Sequence, residues 1–125
     1  MKKKILVVDD SSLARRLTRK MLEELGHEVE EAADGSQALE KFALGQYDLV
    51  LLDMLMAGMY GLEVLQKLKE LNPDQPVIVA TADIQRSTRD QVKEAGAAAM
   101  VNKPVNKDEL AETLEVVWNG GTTWN

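Results

Sequence analysis

The chain has 125 residues, 45% of them hydrophobic, and 15 Lys plus Arg against 21 Asp plus Glu give it a formal charge of −6. This length supports one soluble domain whose core needs no disulfide or structural metal, and the absence of Cys excludes thiol redox chemistry and thiolate zinc sites. A negative domain without a long Lys/Arg stripe argues against nucleic-acid binding, which depends on neutralising phosphates. No apolar stretch reaches membrane-spanning length.

Lys2-Lys3-Lys4 is followed by only a short apolar run, residues 5–8, and then by two acids. That run is too short for the apolar region of a signal peptide, so a cytoplasmic location is expected. It lacks polar alternation, as a strand covered on both faces of a parallel sheet does. Leu13, Leu17, Met21 and Leu25 then recur every four residues, with Ala14, Thr18 and Leu22 beside them, and predict an apolar stripe on a helix. Ser11 or Ser12 can cap that helix, and Gly26 can end it in the left-handed conformation. A weaker strand is expected at residues 29–33, placed by the alternation of strands and helices. A second helix is marked by Ala38, Leu39 and Phe42.

Residues 49–52 repeat the pattern of a fully covered strand, and Leu62, Leu65 and Leu68 mark a third helix halted at Asn72-Pro73. A fourth strand falls at 77–80. The helix expected at about 84–95 is polar at every position between Ile84 and Val92, so little apolar area holds it and it should be the least stable. A short strand at 98–101 and a helix marked by Leu110, Leu114 and Val117 complete five strand-helix pairs. The domain is expected to span residues 1–119, with 120–125 a flexible tail in which Trp124 has nothing to pack on. His27, the only His, sits in a helix-to-strand turn without partners for a metal cluster.

In an open parallel sheet, ligands bind beyond the carboxyl ends of the strands. Four of the five runs end in reactive groups: Asp9-Asp10, Asp53, Thr81, and Lys103 followed by Pro104. Crowded carboxylates need a compensating cation. Oxygen-only ligands favour a hard ion, Mg²⁺ or Mn²⁺, that completes its shell with water and phosphate oxygens. Lys103 and Thr81 supply a charge and a hydroxyl donor for phosphoryl oxygens. The pattern suits phosphoryl transfer with a carboxylate nucleophile, and acids stand where a nucleotide-binding fold has its Gly-rich phosphate loop. Each residue alone has a bland reading, as a helix cap, a turn or a surface group. Their joint placement at four strand ends is hard to reach by accident.

The set Asp9-Asp10, Asp53, Thr81 and Lys103-Pro104, with Gly58-Met59, Gly61 and Ala95-Gly96-Ala97 between, resembles the receiver domain of two-component response regulators over about residues 3–118. The resemblance is to a stand-alone, CheY-like regulator. It implies a flavodoxin-like, doubly wound (βα)5 fold with strand order 2-1-3-4-5. It further implies that Asp53 accepts a phosphoryl group from a phosphohistidine of a histidine kinase or phosphotransfer protein. Asp10, Asp53 and the carbonyl of Leu55 would hold Mg²⁺, with Asp9 acting mainly through water. Lys103, whose bond to Pro104 is cis in the family, would pair with the phosphoryl group, and Thr81 would move to bond it. The face of the fourth helix, fifth strand and fifth helix would then be read by a downstream target protein or phosphatase.

Some positions depart from the family pattern. Met100 replaces the aromatic switch residue, and Ala57 and Tyr60 replace the Pro and Asp after the acceptor. Leu55 and Asp83 fall where side chains flank the phosphoryl group; an apolar Leu55 would limit water access, and Asp83 would either orient water or repel the phosphate. Two other readings are a Mg²⁺-dependent phosphohydrolase and a pseudo-receiver that only binds partners. The first expects an acid where Leu55 stands, and the second is disfavoured by the intact set of acids, hydroxyl and lysine.

Overall fold

The computed structural model describes residues 2–54, 61–83 and 85–124. Strands and helices alternate as β1 (Lys4–Val8), α1 (Ser12–Glu24), β2 (Glu28–Ala32), α2 (Gly35–Leu44), β3 (Leu49–Asp53), α3 (Gly61–Leu71), β4 (Val77–Thr81), α4 (Arg86–Glu94), β5 (Ala99–Asn102) and α5 (Lys107–Trp118). The strands form one parallel sheet in the order β2-β1-β3-β4-β5, the flavodoxin-like arrangement. Strand order reverses between β1 and β3, so the carboxyl ends of these two strands open the crevice of a doubly wound sheet.

The apolar runs alternate between two covers. Leu6, Val8, Val50, Leu52, Val77 and Val79 face a core shared with Phe42 of α2, Leu65 and Leu68 of α3 and Val92 of α4. Ile5, Val7, Leu49, Leu51 and Ile78 face the other, shared with Leu22 of α1 and Leu110, Leu114 and Val117 of α5. Burial on both sides is why these strands read as continuous apolar runs.

Helix ends follow local chemistry. Ser11 caps α1, its side chain accepting from the Ala14 N–H. At the other end the Gly26 N–H donates to the Glu23 carbonyl and the His27 N–H to that of Leu22, with Gly26 at φ 95°. That is a Schellman turn, which needs the left-handed residue glycine supplies. Asp34 and Asn106 cap α2 and α5.

Two expectations are corrected. The Leu13, Leu17, Met21, Leu25 stripe does not lie on the sheet as a unit: Thr18 and Leu22 are the buried residues of α1, while Leu13 and Leu17 are 64% and 49% exposed. Steps of four residues overshoot a helical turn by about 40° each, so such a stripe winds around the helix. Residues 120–124, expected as a loose tail, turn back at Gly120, which adopts φ 83°. The Thr123 N–H then donates to the Ala98 carbonyl and the Trp124 indole N–H to that of Ala97, and the ring packs against the core under α2–α4. Trp124 therefore has both an apolar seat and a hydrogen-bond partner, the two requirements of an indole.

Candidate functional site

Strand register brings the reactive residues together. Val8 is level with Leu52, so Asp9, which follows Val8, lies level with Asp53. Asp53 pairs with Ala80, which puts Thr81 one step beyond it, and Thr81 pairs with Asn102, the residue before Lys103. Asp9, Asp10 and Asp53 each offer a carboxylate oxygen, and these oxygens lie within 4.8 Å of one another. Asp9 and Asp53 are buried and Asp10 is exposed. Oxygen donors at this spacing, half sunk and half open to water, suit a hard divalent cation that keeps part of its hydration shell.

Lys103, just beyond the end of β5, reaches the acids. Its Nζ donates to Asp9 Oδ2 at 3.0 Å and lies 3.3 Å from Asp53 Oδ1. Partial burial disfavours its charge, yet the hydrogen bond to Asp9 and the charges of Asp53 and Asp9 outweigh that penalty and raise its pKa above the ordinary lysine value. The Lys103–Pro104 peptide is cis, as the resemblance implied. Asp9 is held further by the Ser11 N–H on Oδ1 at 2.9 Å.

Thr81 is 1% exposed at the end of β4, and its Oγ1 accepts from the Asp83 N–H at 3.0 Å. Asp83 makes its own contacts at the start of α4. Its carboxylate accepts from the Gln85 N–H at 2.9 Å and from Thr88 Oγ1 at 2.6 Å, and the Thr88 bond, with the Gln85 bond after it, holds its pKa below the ordinary value. It therefore braces the start of α4. Met100, half-buried on β5, packs against the core that holds Trp124. Leu55, Ala57 and Tyr60, together with Met56, Gly58 and Met59, lie outside the described residues.

Two contributors were not read from the sequence. Arg15 Nη1 donates to the Asp9 carbonyl at 2.7 Å, and its Nε bonds Glu31 at 2.8 Å, so α1 and β2 jointly fix the turn that carries the acids. The Arg15 and Arg19 spacing on α1 was the available signal, but Glu31 is distant in sequence. Gly61, quoted only as part of a motif, has a steric role: its N–H donates to the Met54 carbonyl at 2.8 Å, and a Cβ there would stand 2.4 Å from the Asp53 carbonyl oxygen.

The family model described as the response regulator receiver domain matches residues 5–115. Sensor protein EvgS of Escherichia coli (strain K12) is 38% identical over 110 residues, which is 88% of this chain but only 9% of EvgS. Sporulation initiation phosphotransferase F of Bacillus subtilis is 36% identical over 115 residues, covering 92% of this chain and 93% of that protein. A CheY-like response regulator receiver domain protein from Methanospirillum hungatei has a solved structure that matches with a TM-score of 0.89 at 32% identity, over 96% of both chains. The match thus spans a small part of one relative and nearly all of others. Proteins built on this domain are signalling switches of two-component systems, phosphorylated on an aspartate. The chain belongs to the response regulator receiver domain family.

Proposed function

We propose that Asp53 is the phosphoryl acceptor of this receiver, that Asp9, Asp10 and Asp53 hold Mg²⁺ with the Leu55 carbonyl, and that Thr81 and Lys103 bind the transferred group. The observation that carries the reading is Lys103 Nζ set between Asp9 and Asp53, 3.0 Å and 3.3 Å away. An ammonium in that position is placed to meet phosphoryl oxygens on Asp53 without rebuilding the site.

In the transfer, an Asp53 carboxylate oxygen attacks phosphorus in line, the P–N bond of a phosphohistidine breaks, and its electron pair returns to the imidazole, which takes up a proton. The product is an acyl phosphate. When bound, the cation offsets charge on the phosphoryl oxygens and the crowded acids. Lys103 Nζ exchanges part of its pairing with the carboxylates for a phosphoryl oxygen. Thr81 Oγ1 turns from the Asp83 N–H to donate to another. The protein is a switch that carries out and reverses its own phosphorylation.

The donor is a histidine kinase or a phosphotransfer protein. Leu13 and Leu17 support this: they are exposed on the first turns of α1, immediately after the Asp9-Asp10 turn. Exposed apolar side chains at the rim of a site suit a protein surface that presents its histidine there. The output is read by a target protein or phosphatase on the face of α4, β5 and α5. The domain works in the cytoplasm; among the described residues no helix is long and apolar enough to cross a membrane.

Mass spectrometry of the chain with Mg²⁺ and acetyl phosphate, beside Asp53→Asn, tests the assignment. One added phosphoryl on the parent alone is expected. Sustained phosphate release from many organic phosphates would favour a hydrolase, and labelling of neither protein would leave a partner-binding pseudo-receiver.

A further inference from the structure

We infer that residues 120–124 form a latch on α4, closed in the unphosphorylated protein and released when Thr81 turns toward a phosphoryl group on Asp53. The inference rests on the proposed role of Asp53 and adds a regulatory element that the site alone does not require.

The helix α4 has little hold of its own. Thr88 and Val92 are its buried residues, and Gln85 provides no side-chain cap. Two consecutive residues tie it to two different segments. Thr88 Oγ1 donates to Asp83 Oδ2 at 2.6 Å, and the Asp83 N–H donates to Thr81 Oγ1 at 3.0 Å, which leads to the phosphorylation site. Arg89 Nη2 donates to the Trp124 carbonyl at 2.9 Å, and its guanidinium lies 5.7 Å from the indole centroid. Trp124 is in turn pinned by its indole N–H on the Ala97 carbonyl at 3.0 Å and by the Thr123 N–H on that of Ala98 at 3.2 Å. One connected path therefore runs from Thr81 through Asp83, Thr88 and Arg89 to Trp124, and from there to the start of β5.

A phosphoryl group that draws Thr81 Oγ1 away removes the acceptor of the Asp83 N–H. Asp83 then no longer fixes Thr88 in place, α4 can turn, and Arg89 leaves the indole. A cavity of about 280 Å³ lined by Arg89, Met100, Glu109, Thr113, Thr123 and Trp124 gives the ring room to move. Coupling between two sites is reciprocal, so opening the latch by mutation must favour phosphorylation of Asp53.

Trp118→Phe leaves Trp124 as the sole tryptophan. Its emission and acrylamide quenching are read before and after treatment with Mg²⁺ and acetyl phosphate, with labelling followed by intact mass. A red shift and stronger quenching in step with labelling are expected, and no change in Asp53→Asn. Trp124→Ala and Arg89→Ala should each raise the labelled fraction at limiting donor by about fivefold in its equilibrium ratio. Independently of labelling, Trp124→Ala should speed amide exchange in α4 of the unphosphorylated protein and leave β1 and β3 unchanged. A fully labelled Asp53 with an unmoved Trp124 signal overturns the latch and leaves the acceptor assignment standing. Unchanged exchange in α4 also overturns it, and an unlabelled Asp53 removes both.

Discussion

Gly61 approaches Asp53 so closely that a Cβ on it would stand 2.4 Å from the Asp53 carbonyl oxygen, and 2.7 Å from the Met54 Cα. Both neighbours are backbone, so neither can yield by a rotamer change. The first turn of α3 is thus seated directly against the end of β3, at Asp53. Gly61→Ala should force α3 and β3 apart, at about 1–3 kcal/mol in denaturant-determined stability. It should also slow labelling of Asp53 by acetyl phosphate, because the displaced backbone is that of the proposed acceptor. Unchanged stability together with unchanged labelling would show that the strand end does not depend on this contact.

The acid cluster predicts a specific response to divalent cation. A ligand that binds only the folded state stabilises it by mass action, by about 2.7 kcal/mol at a hundred times its dissociation constant. Saturating Mg²⁺ should therefore raise the thermal midpoint of the parent protein, and chelation should reverse the rise. Asp10→Asn removes one of the three clustered carboxylates, and most of the Mg²⁺-dependent rise should go with it. A variant that responds to Mg²⁺ as the parent does would place the ion elsewhere.

Leu13 and Leu17 on α1 separate docking from chemistry. They are 64% and 49% exposed, so replacing both with Ser leaves the core intact and should change stability by no more than about 1 kcal/mol, roughly 0.5 for each substitution. Labelling by acetyl phosphate should be unaffected, since a small donor needs no protein surface. Transfer from a phosphorylated histidine protein should slow by about tenfold or more, the effect of losing about 1.4 kcal/mol of contact. Equal slowing with both donors would mean that the leucines act on the site and not on the donor.

The contrast between these residues explains what was legible in the sequence. Strand runs such as Leu49-Val50-Leu51-Leu52 could be read because both faces are covered, and a parallel sheet then carries Asp53, Thr81 and Lys103 to one edge. The face of α1 was misread because four-residue spacing resembles a core stripe and yet drifts around the helix. Trp124, Arg15 and Gly61 were missed for a common reason: each meets backbone, at the Ala97, Asp9 and Met54 carbonyls. A carbonyl is present whatever the residue, so contacts of this kind leave no side-chain pattern. The bond of Asp83 to Thr88 was not legible either, since it depends on where α4 begins.

Glu31 gives a test on the acid side. Arg19 bonds it at 2.6 Å and Arg15 at 2.8 Å. The Arg19 hydrogen bond, opposed by partial burial and aided by the Arg15 bond, lowers its pKa below the ordinary 4.5. A folded-state carboxyl that is more acidic than its unfolded counterpart adds stability above the unfolded value, and that stability is lost as pH falls through the folded one. The bridge is partly solvated, so its contribution at neutral pH is up to about 1 kcal/mol. Glu31→Gln should accordingly be less stable than the parent at pH 7, with the two denaturation curves converging as pH drops below 4.5. A gap that persists undiminished well below that pH would assign the loss to packing rather than charge. Because Arg15 also donates to the Asp9 carbonyl at 2.7 Å, the same variant should weaken the Mg²⁺-dependent rise in thermal midpoint. A Glu31→Asp variant that keeps the charge should recover part of it.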